Sequence, residues 1–150
     1  VQLTLGLLLK TYKGIEIMAT VKNVRLAITA LTDKPGYSQI AYSYELHPSE
    51  LDCAEQREYS VTTDLWGEDV IDDDVLAWGK DEHTVRFDDS RPCNTMKVER
   101  AFEVETKVLD EDLFGDDEIF LIIEARPDPG PNAAGADPVI GKSNTVTGDF

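Results

Sequence analysis

The chain is short of basic residues, with 14 Lys and Arg against 30 Asp and Glu in 150 residues and a formal net charge of −16. Proteins that bind nucleic acid neutralise its phosphates with clustered Lys and Arg. We therefore expect no nucleic-acid partner and, by the same argument, no direct insertion into an anionic membrane. This negative charge suits a basic ligand or a cation as partner. The alternative is an acidic surface that only keeps the molecules dispersed in solution.

Cysteine is also scarce, and the two that occur, Cys53 and Cys93, lack the spacing of a metal knuckle. They form either a disulfide, which would stabilise the fold by roughly 3–4 kcal/mol, or two buried thiols. The compartment stays open, with an extracellular or cell-surface location favoured over a cytoplasmic one.

The common catalytic signatures are absent: the sequence has no Gly-x-Ser-x-Gly elbow, no His-Glu-x-x-His and no phosphate-binding glycine loop. Its two histidines, His47 and His83, are isolated, and a lone histidine is more often structural than catalytic. Carboxylate pairs suited to glycosidic chemistry are always available among 30 acidic residues, so they carry little information. We predict a protein that is not an enzyme, the alternative being a hydrolase that uses buried carboxylates of raised pKa.

No apolar run approaches the roughly 20 residues that span a bilayer. Residues 1–9 are apolar but lack the basic leader and cleavage site of a secretory signal. Met18-Ala19-Thr20 reads like a translation start, so residues 1–17 are an appended segment or a true N-terminal arm. We expect residues 18–150 to form a single domain.

Alternation of apolar and polar residues dominates the rest of the pattern, as half-buried antiparallel strands require. The five clearest segments are residues 3–9, 24–30, 40–46, 59–65 and 102–108. Residues 83–87, 119–123 and 139–146 are shorter or weaker strand candidates, and residues 49–57 are a helix candidate capped by Ser49. Seven or eight short strands separated by turns predict an all-β fold, a two-sheet antiparallel β-sandwich.

The acidic residues gather in three runs, at residues 64–74, 88–89 and 110–118. Run 110–118 lies between two strand patterns, so it is a loop, and its alternating Asp side chains direct several oxygens to one point. Ca²⁺ takes six to eight oxygens at about 2.3–2.6 Å, which suits such a loop. It is not an EF-hand, because Phe114 and Leu121 fall at ligand positions. A solvated acidic turn is the alternative.

Residues 108–117, Val-Leu-Asp-Glu-Asp-Leu-Phe-Gly-Asp-Asp, resemble the third calcium loop of the calcium-dependent phospholipid-binding β-sandwich of protein kinase C and synaptotagmins. The resemblance implies that Asp110, Asp112 and Asp117 contact the cation. Residues 33–38 are similar to the first loop of that family, which places Asp33 nearby. The basic lipid-binding patch of the family is not evident in this chain, so the resemblance bears on the fold and the cation.

These observations together predict a binding module whose acidic end loops hold Ca²⁺ and contact a ligand or a neighbouring subunit. Trp66, within the run 64–74, is a candidate for stacking on a glycan or anchoring a protein partner, and a place in the core is its alternative. The candidate metal ligands are Asp110, Asp112, Asp116 and Asp117, with Asp33, Asp72 and Asp74 as outer candidates.

The N-terminal arm favours a second function, that of a self-assembling filament or shell subunit. Leu3, Leu5 and Leu7 alternate with polar or small residues, a pattern that would add a strand to a neighbouring copy and give a homo-oligomer. An ordinary first strand or a cloning-derived tail are the alternatives for this segment.

Overall fold

The computed structural model describes residues 18–68, 74–77, 79, 81–89, 93–110, 116–128 and 137–150. These residues form nine strands in two antiparallel sheets and one short helix, which confirms the predicted β-sandwich. The strand predicted at residues 3–9 lies outside the described residues. The elements are β1 (Thr20–Ala30), β2 (Tyr37–His47), α1 (Glu50–Ala54), β3 (Glu58–Gly67), β4 (Asp74–Ala77), β5 (His83–Arg86), β6 (Met96–Glu105), β7 (Asp117–Pro127), β8 (Val139–Lys142) and β9 (Val146–Gly148).

The smaller sheet has the order β1-β2-β6, and the larger sheet has the order β4-β3-β7-β8. Strand β5 pairs with β3, and β9 pairs with β7, so the two ends of each central strand have different neighbours. Every pairing described is antiparallel, as expected when short turns join successive strands.

The core lies between the two sheets and is built from the apolar positions of the alternating segments. Along β7, Ile119, Leu121 and Ile123 are fully buried, and Phe120 on the opposite face is only 3% exposed. This strand pairs on both edges, and on its outer face Trp66 stacks on Phe120, so apolar side chains are covered on both faces of the strand. Burying each such side chain contributes about 1.5–3 kcal/mol.

Strand β6 departs from the prediction that a strand covers residues 102–108. It begins earlier, at Met96, and ends at Glu105, because Thr106–Val108 form a 3₁₀ turn. The Thr106 N–H donates to the carbonyl of Gly36 (2.9 Å), which takes the chain out of the ladder. Leu109 then enters the core with no exposed surface, and the chain crosses to the larger sheet.

One side of the sandwich is closed by contacts between β1 and the β8–β9 segment. The Asn144 side chain accepts from the Leu26 N–H (2.8 Å) and donates to the Leu26 carbonyl (3.1 Å), as a neighbouring strand would. A Cβ at Gly141 would collide with Val21 and Val24, so glycine permits the close approach of β8. The amide of Asn144 therefore occupies hydrogen-bonding groups that an edge strand would otherwise expose.

The end of the sandwich that carries α1 is fixed by a covalent link and a buried carboxylate. Cys53 and Cys93 form a disulfide, which settles the alternative that the sequence left open. Asp52, with no exposed surface, accepts from the Tyr59 hydroxyl (2.7 Å) and from the backbone N–H of Ser49 (2.7 Å). Ser49 and Asp52 also complete the capping box of the predicted helix.

Replacing both cysteines with alanine is expected to lower the free energy of unfolding by roughly 3 kcal/mol, because the disulfide closes a long loop in the unfolded chain. Urea titration of C53A/C93A against the wild type measures this loss. Wild-type protein treated with reductant should lose a similar amount. A double variant as stable as the oxidised wild type would contradict the prediction.

Candidate functional site

Strand registers determine which connections share an end of the sandwich. The backbone N–H of Ala19, just before β1, donates to the Tyr59 hydroxyl near the start of β3 (3.0 Å), so β1 and β3 run in the same direction. The end of β1 therefore lies at the same end as the end of β3 and the start of β7, since Gly67 pairs with Ile119. We call this the acidic end. It is made of the β1–β2, β3–β4 and β6–β7 connections.

The acidic end contains all five of the predicted metal ligands whose positions are described. Asp33 lies in the β1–β2 turn, and Asp110 and Asp116 lie in the β6–β7 connection, all with exposed side chains. Asp117 opens β7 and is only 4% exposed. Asp74 opens β4 at the same end, opposite Gly67.

Other acidic positions lie elsewhere or are not described. Asp112 and Asp72 lie outside the described residues, as do Leu3, Leu5 and Leu7, so their roles stay predictions. The acidic run at residues 88–89 follows β5 and lies at the opposite end, with α1, because Arg86 pairs with Glu58 at the start of β3. Two of the three acidic runs therefore share an end, and the third does not.

Two lysines partly offset the carboxylates of the acidic end. Lys34 forms an ion pair with Glu103 (2.9 Å) and lies over the ring of Tyr37, while Lys107 pairs with Glu105 (2.8 Å). Hydrogen bonding to Glu103 raises the pKa of Lys34. These four groups are well exposed, so the pairs contribute little to stability. Both lysines pair with glutamates of β6, which leaves the predicted aspartate ligands outside these ion pairs.

The described carboxylates do not form a ready-made metal cage. Within residues 18–68, 74–77, 79, 81–89, 93–110, 116–128 and 137–150, no group of three or more His, Cys, Asp or Glu could together hold a metal ion. What the registers bring to this end is the acid-bearing connections themselves.

Trp66 lies on the outer face of the larger sheet, half-buried, and is not part of the core between the sheets. Its ring stacks on that of Phe120, with centroids 6.3 Å apart and planes 9° apart, and Lys142 Nζ lies 4.0 Å from the centre of the Phe120 ring. One face of the indole is therefore occupied by Phe120. The predicted contact of Trp66 with a partner stays a prediction.

Sequence reasoning missed a polar cluster that joins the two sheets on the side away from Asn144. Arg100 of β6 makes two hydrogen bonds to Asp81, which precedes β5, at 2.7 and 2.9 Å. The Tyr42 hydroxyl of β2 donates to the same carboxylate at 2.6 Å. Two-pronged Arg–carboxylate contacts are among the stronger hydrogen bonds in proteins. Asp81 thus accepts hydrogen bonds from β6, one outer strand of the smaller sheet, and from β2, its central strand.

Ionisation in this cluster favours a charged Asp81. The hydrogen bonds from Arg100 lower the pKa of the Asp81 carboxyl against the opposing effect of burial, and Tyr42 lowers it further. Burial, reinforced by the hydrogen bond to Asp81, raises the pKa of the Tyr42 hydroxyl. Asp81 and Arg100 are far apart along the chain, and no sequence motif indicates that they contact each other.

His83 packs beside this cluster and favours its neutral form. Its Nε2 atom lies 2.6 Å from the Tyr44 hydroxyl, and its ring is tilted against the ring of Tyr44. Burial lowers the pKa of His83, and the positive charge of Arg100 lowers it further, while Asp81 acts in the opposite direction. His47 has a polar neighbour too, since its Nδ1 atom lies 3.1 Å from the Thr95 hydroxyl.

Comparison of the chain with family models, with curated proteins and with solved structures finds no match. The resemblance of residues 108–117 to a calcium loop therefore stays a prediction. No helix in the described part of the chain is long and apolar enough to cross a membrane.

His83 should make stability depend on pH below neutrality. Because its folded pKa is lowered, its contribution is fully present above the unfolded value of about 6.5 and is lost as pH falls from there toward the folded value. Urea unfolding from about pH 7.5 to 5 should show a decline that His83→Gln flattens. Equal slopes in wild type and His83→Gln would contradict this assignment.

Proposed function

We propose that this protein is a non-enzymatic binding module whose acidic end binds Ca²⁺ and, through it, a ligand or a neighbouring subunit. The observation that carries the proposal is the convergence of three acid-bearing connections on one end of the sandwich. Asp33, Asp110 and Asp116 reach this end from separate parts of the sequence with their carboxylates exposed to solvent.

The physical reason for a cation is the cost of bringing like charges together. Two unit charges about 4 Å apart interact by about 1 kcal/mol in water and by several times more near a protein surface. A divalent cation reverses the sign of that interaction and is coordinated by hard carboxylate oxygens. Binding would draw the β1–β2 and β6–β7 connections together, so their order should increase with the cation bound.

The expected partners follow from the charge and from Trp66. A basic protein segment suits a chain of net charge −16, and the half-buried indole ring of Trp66 suits stacking on a glycan. The Cys53–Cys93 disulfide is typical of proteins in oxidising compartments and supports the extracellular or cell-surface location expected from the sequence.

Strand addition is a second candidate function, and the open edge of β6 favours it. Among the described residues, β6 has a strand neighbour on one side only. Its inward-facing apolar side chains Met96, Val98 and Phe102 are only half-buried. An apolar strand such as residues 1–9 of a neighbouring copy would cover them and satisfy the free backbone groups.

The other outer strand of the smaller sheet is less suited to this role. At β1, the Asn144 amide already bonds the backbone of Leu26, and a bulge at Asn23 (φ 53°) interrupts the register. Bulges and side-chain caps both discourage edge-to-edge pairing.

Strand β6 also carries one feature that discourages pairing, because the charged side chain of Arg100 points inward from it. An added strand would have to accommodate the ion pair between Arg100 and Asp81.

Calcium binding is tested by thermal unfolding in chelator, in Mg²⁺ and in Ca²⁺. With free Ca²⁺ at about a hundredfold excess over its Kd, the free energy of unfolding should rise by about 2.7 kcal/mol, with a higher Tm. The variant D110N/D116N should lose most of this Ca²⁺-dependent rise, because it removes two exposed carboxylates of the acidic end.

The matched control is D89N/D128N, which removes the same charge from exposed aspartates at the opposite end. It should respond to Ca²⁺ as the wild type does. Indifference of the wild type to both Ca²⁺ and chelator would contradict the proposal, as would an equal loss of response in the two double variants.

Strand addition is tested by deleting residues 1–17 and measuring mass by light scattering. Assembly through the arm predicts that the full chain forms oligomers and that the shortened chain is monomeric, because the added strand is gone. Oligomers that persist without residues 1–17, or a full chain that is already monomeric, would exclude this candidate.

A further inference from the structure

The two open sides of the sandwich are closed by different kinds of polar contact. On the side of β1, the uncharged amide of Asn144 bonds both backbone groups of Leu26. On the side of β5 and β6, the polar contacts between the sheets come from titratable side chains. We call the residues that make them the lateral latch: Tyr42, Tyr44, Asp81, His83 and Arg100. Of the two closures, the latch is the one that contains a histidine, whose charge changes between about pH 5 and 8.

The position of His83 suits a neutral ring and not a charged one. It opens β5, and its Nε2 atom lies 2.6 Å from the hydroxyl of Tyr44, a residue that is only 1% exposed. Its Nδ1 atom is buried and has no hydrogen-bond partner of normal geometry in the described part of the chain. A protonated imidazole carries an N–H donor on each nitrogen. Protonation in the closed structure would therefore leave a buried donor unpaired, which is costly.

The charged groups that act on His83 oppose one another. Burial is the largest effect and lowers the pKa of His83, and the positive charge of Arg100 on β6 lowers it further. Asp81 acts in the opposite direction through its carboxylate and its backbone. That carboxylate already accepts two hydrogen bonds from Arg100 and one from Tyr42, so its charge is largely engaged.

The neighbours of His83 on β2 and β3 carry no charge in this pH range. Burial raises the pKa of both Tyr42 and Tyr44 of β2, so their hydroxyls stay protonated. The residue opposite His83 on β3 is Val61, which does not titrate. A proton on His83 would thus face the positive charge of Arg100 with only an already engaged carboxylate to offset it.

Strand β5 is weakly attached at the end that carries His83. It has four residues and, among the described residues, pairs with β3 alone. Beyond its other end, Phe87 is 1% exposed and its backbone N–H donates to the carbonyl of Arg57 (2.9 Å). Segments with few contacts open locally at lower free energy than the core does. Residues 81–84 can therefore separate from the smaller sheet while Phe87 stays in place.

We infer that the lateral latch is a pH-sensitive switch, in which protonation of His83 opens residues 81–84 away from the smaller sheet. In the open state, water supplies the acceptor that Nδ1 lacks, and Arg100 no longer faces a second positive charge. Opening uncovers the rings of Tyr42 and Tyr44, which are 3% and 1% exposed in the closed structure. The switch requires neither Ca²⁺ nor residues 1–17, which separates it from both functions proposed above.

Acid favours the open state. His83 regains its ordinary pKa of about 6.5 when the latch opens, and its pKa in the closed state is lower. The closed state is therefore fully favoured above about pH 6.5 and loses stability as pH falls from there toward the closed-state value. Within this window the open population rises by up to about tenfold for each pH unit. Asp81 stays charged there, because the hydrogen bonds from Arg100 lower the pKa of its carboxyl.

Amide hydrogen exchange of the full chain in chelator, followed by NMR from about pH 7.5 to 5, tests the switch. After correction for intrinsic exchange, the protection of the β5 amides should fall by at least about threefold over this range, and His83→Gln should remove that fall. Low concentrations of urea should leave β5 protection nearly unchanged while lowering that of β7, because a local opening exposes little surface. Arg100→Gln should lower β5 protection already at pH 7.5, because Asp81 loses two hydrogen bonds.

Lys97→Gln is the matched control, since it removes the same charge from an exposed position on the outer face of β6. It should leave β5 protection unchanged at every pH. The inference is overturned if β5 and β7 share one protection factor and one urea dependence, if the acid-induced fall persists in His83→Gln, or if Lys97→Gln and Arg100→Gln act alike. Should Arg100→Gln fail to fold, the comparison of wild type with His83→Gln decides.

Discussion

The packing of the two inner sheet faces is the constraint on which the other features depend. Ile119, Leu121 and Ile123 of β7, fully buried against the smaller sheet, fix the alignment of the two layers. Once this alignment is set, the strand directions decide which connections lie at which end. The convergence of the acidic connections is thus a consequence of hydrophobic register, and no attraction between the loops is required to produce it.

The distribution of charge follows from the same architecture. Inner faces must be apolar, so the charged residues are confined to connections, edges and outer faces. Within those places the chain separates them, with a nearly balanced outer face on the smaller sheet and exposed aspartates at one end. The local charge of this protein therefore differs from one surface to another.

Local patterns were sufficient to predict much of the fold. Alternation located β1, β2, β3 and β5, the apolar run at residues 119–123 identified the central strand β7, and Ser49 marked the helix start. Strand β4 was missed because it has only four residues and begins at Asp74, the last residue of an acidic run. The predicted end of β6 was wrong because the hydrogen bond from Thr106 to Gly36 depends on a distant turn. Contacts between distant residues, such as Arg100 with Asp81, have no local signal at all.

The two ends of the sandwich are linked energetically even though they do not touch. A single domain of this size normally unfolds as one unit, so contacts at either end act on the stability of the whole. The disulfide and the buried Asp52 stabilise the end that carries α1 and act on this same equilibrium. The exposed carboxylates of the acidic end therefore lie on a fold that is stabilised from the opposite end.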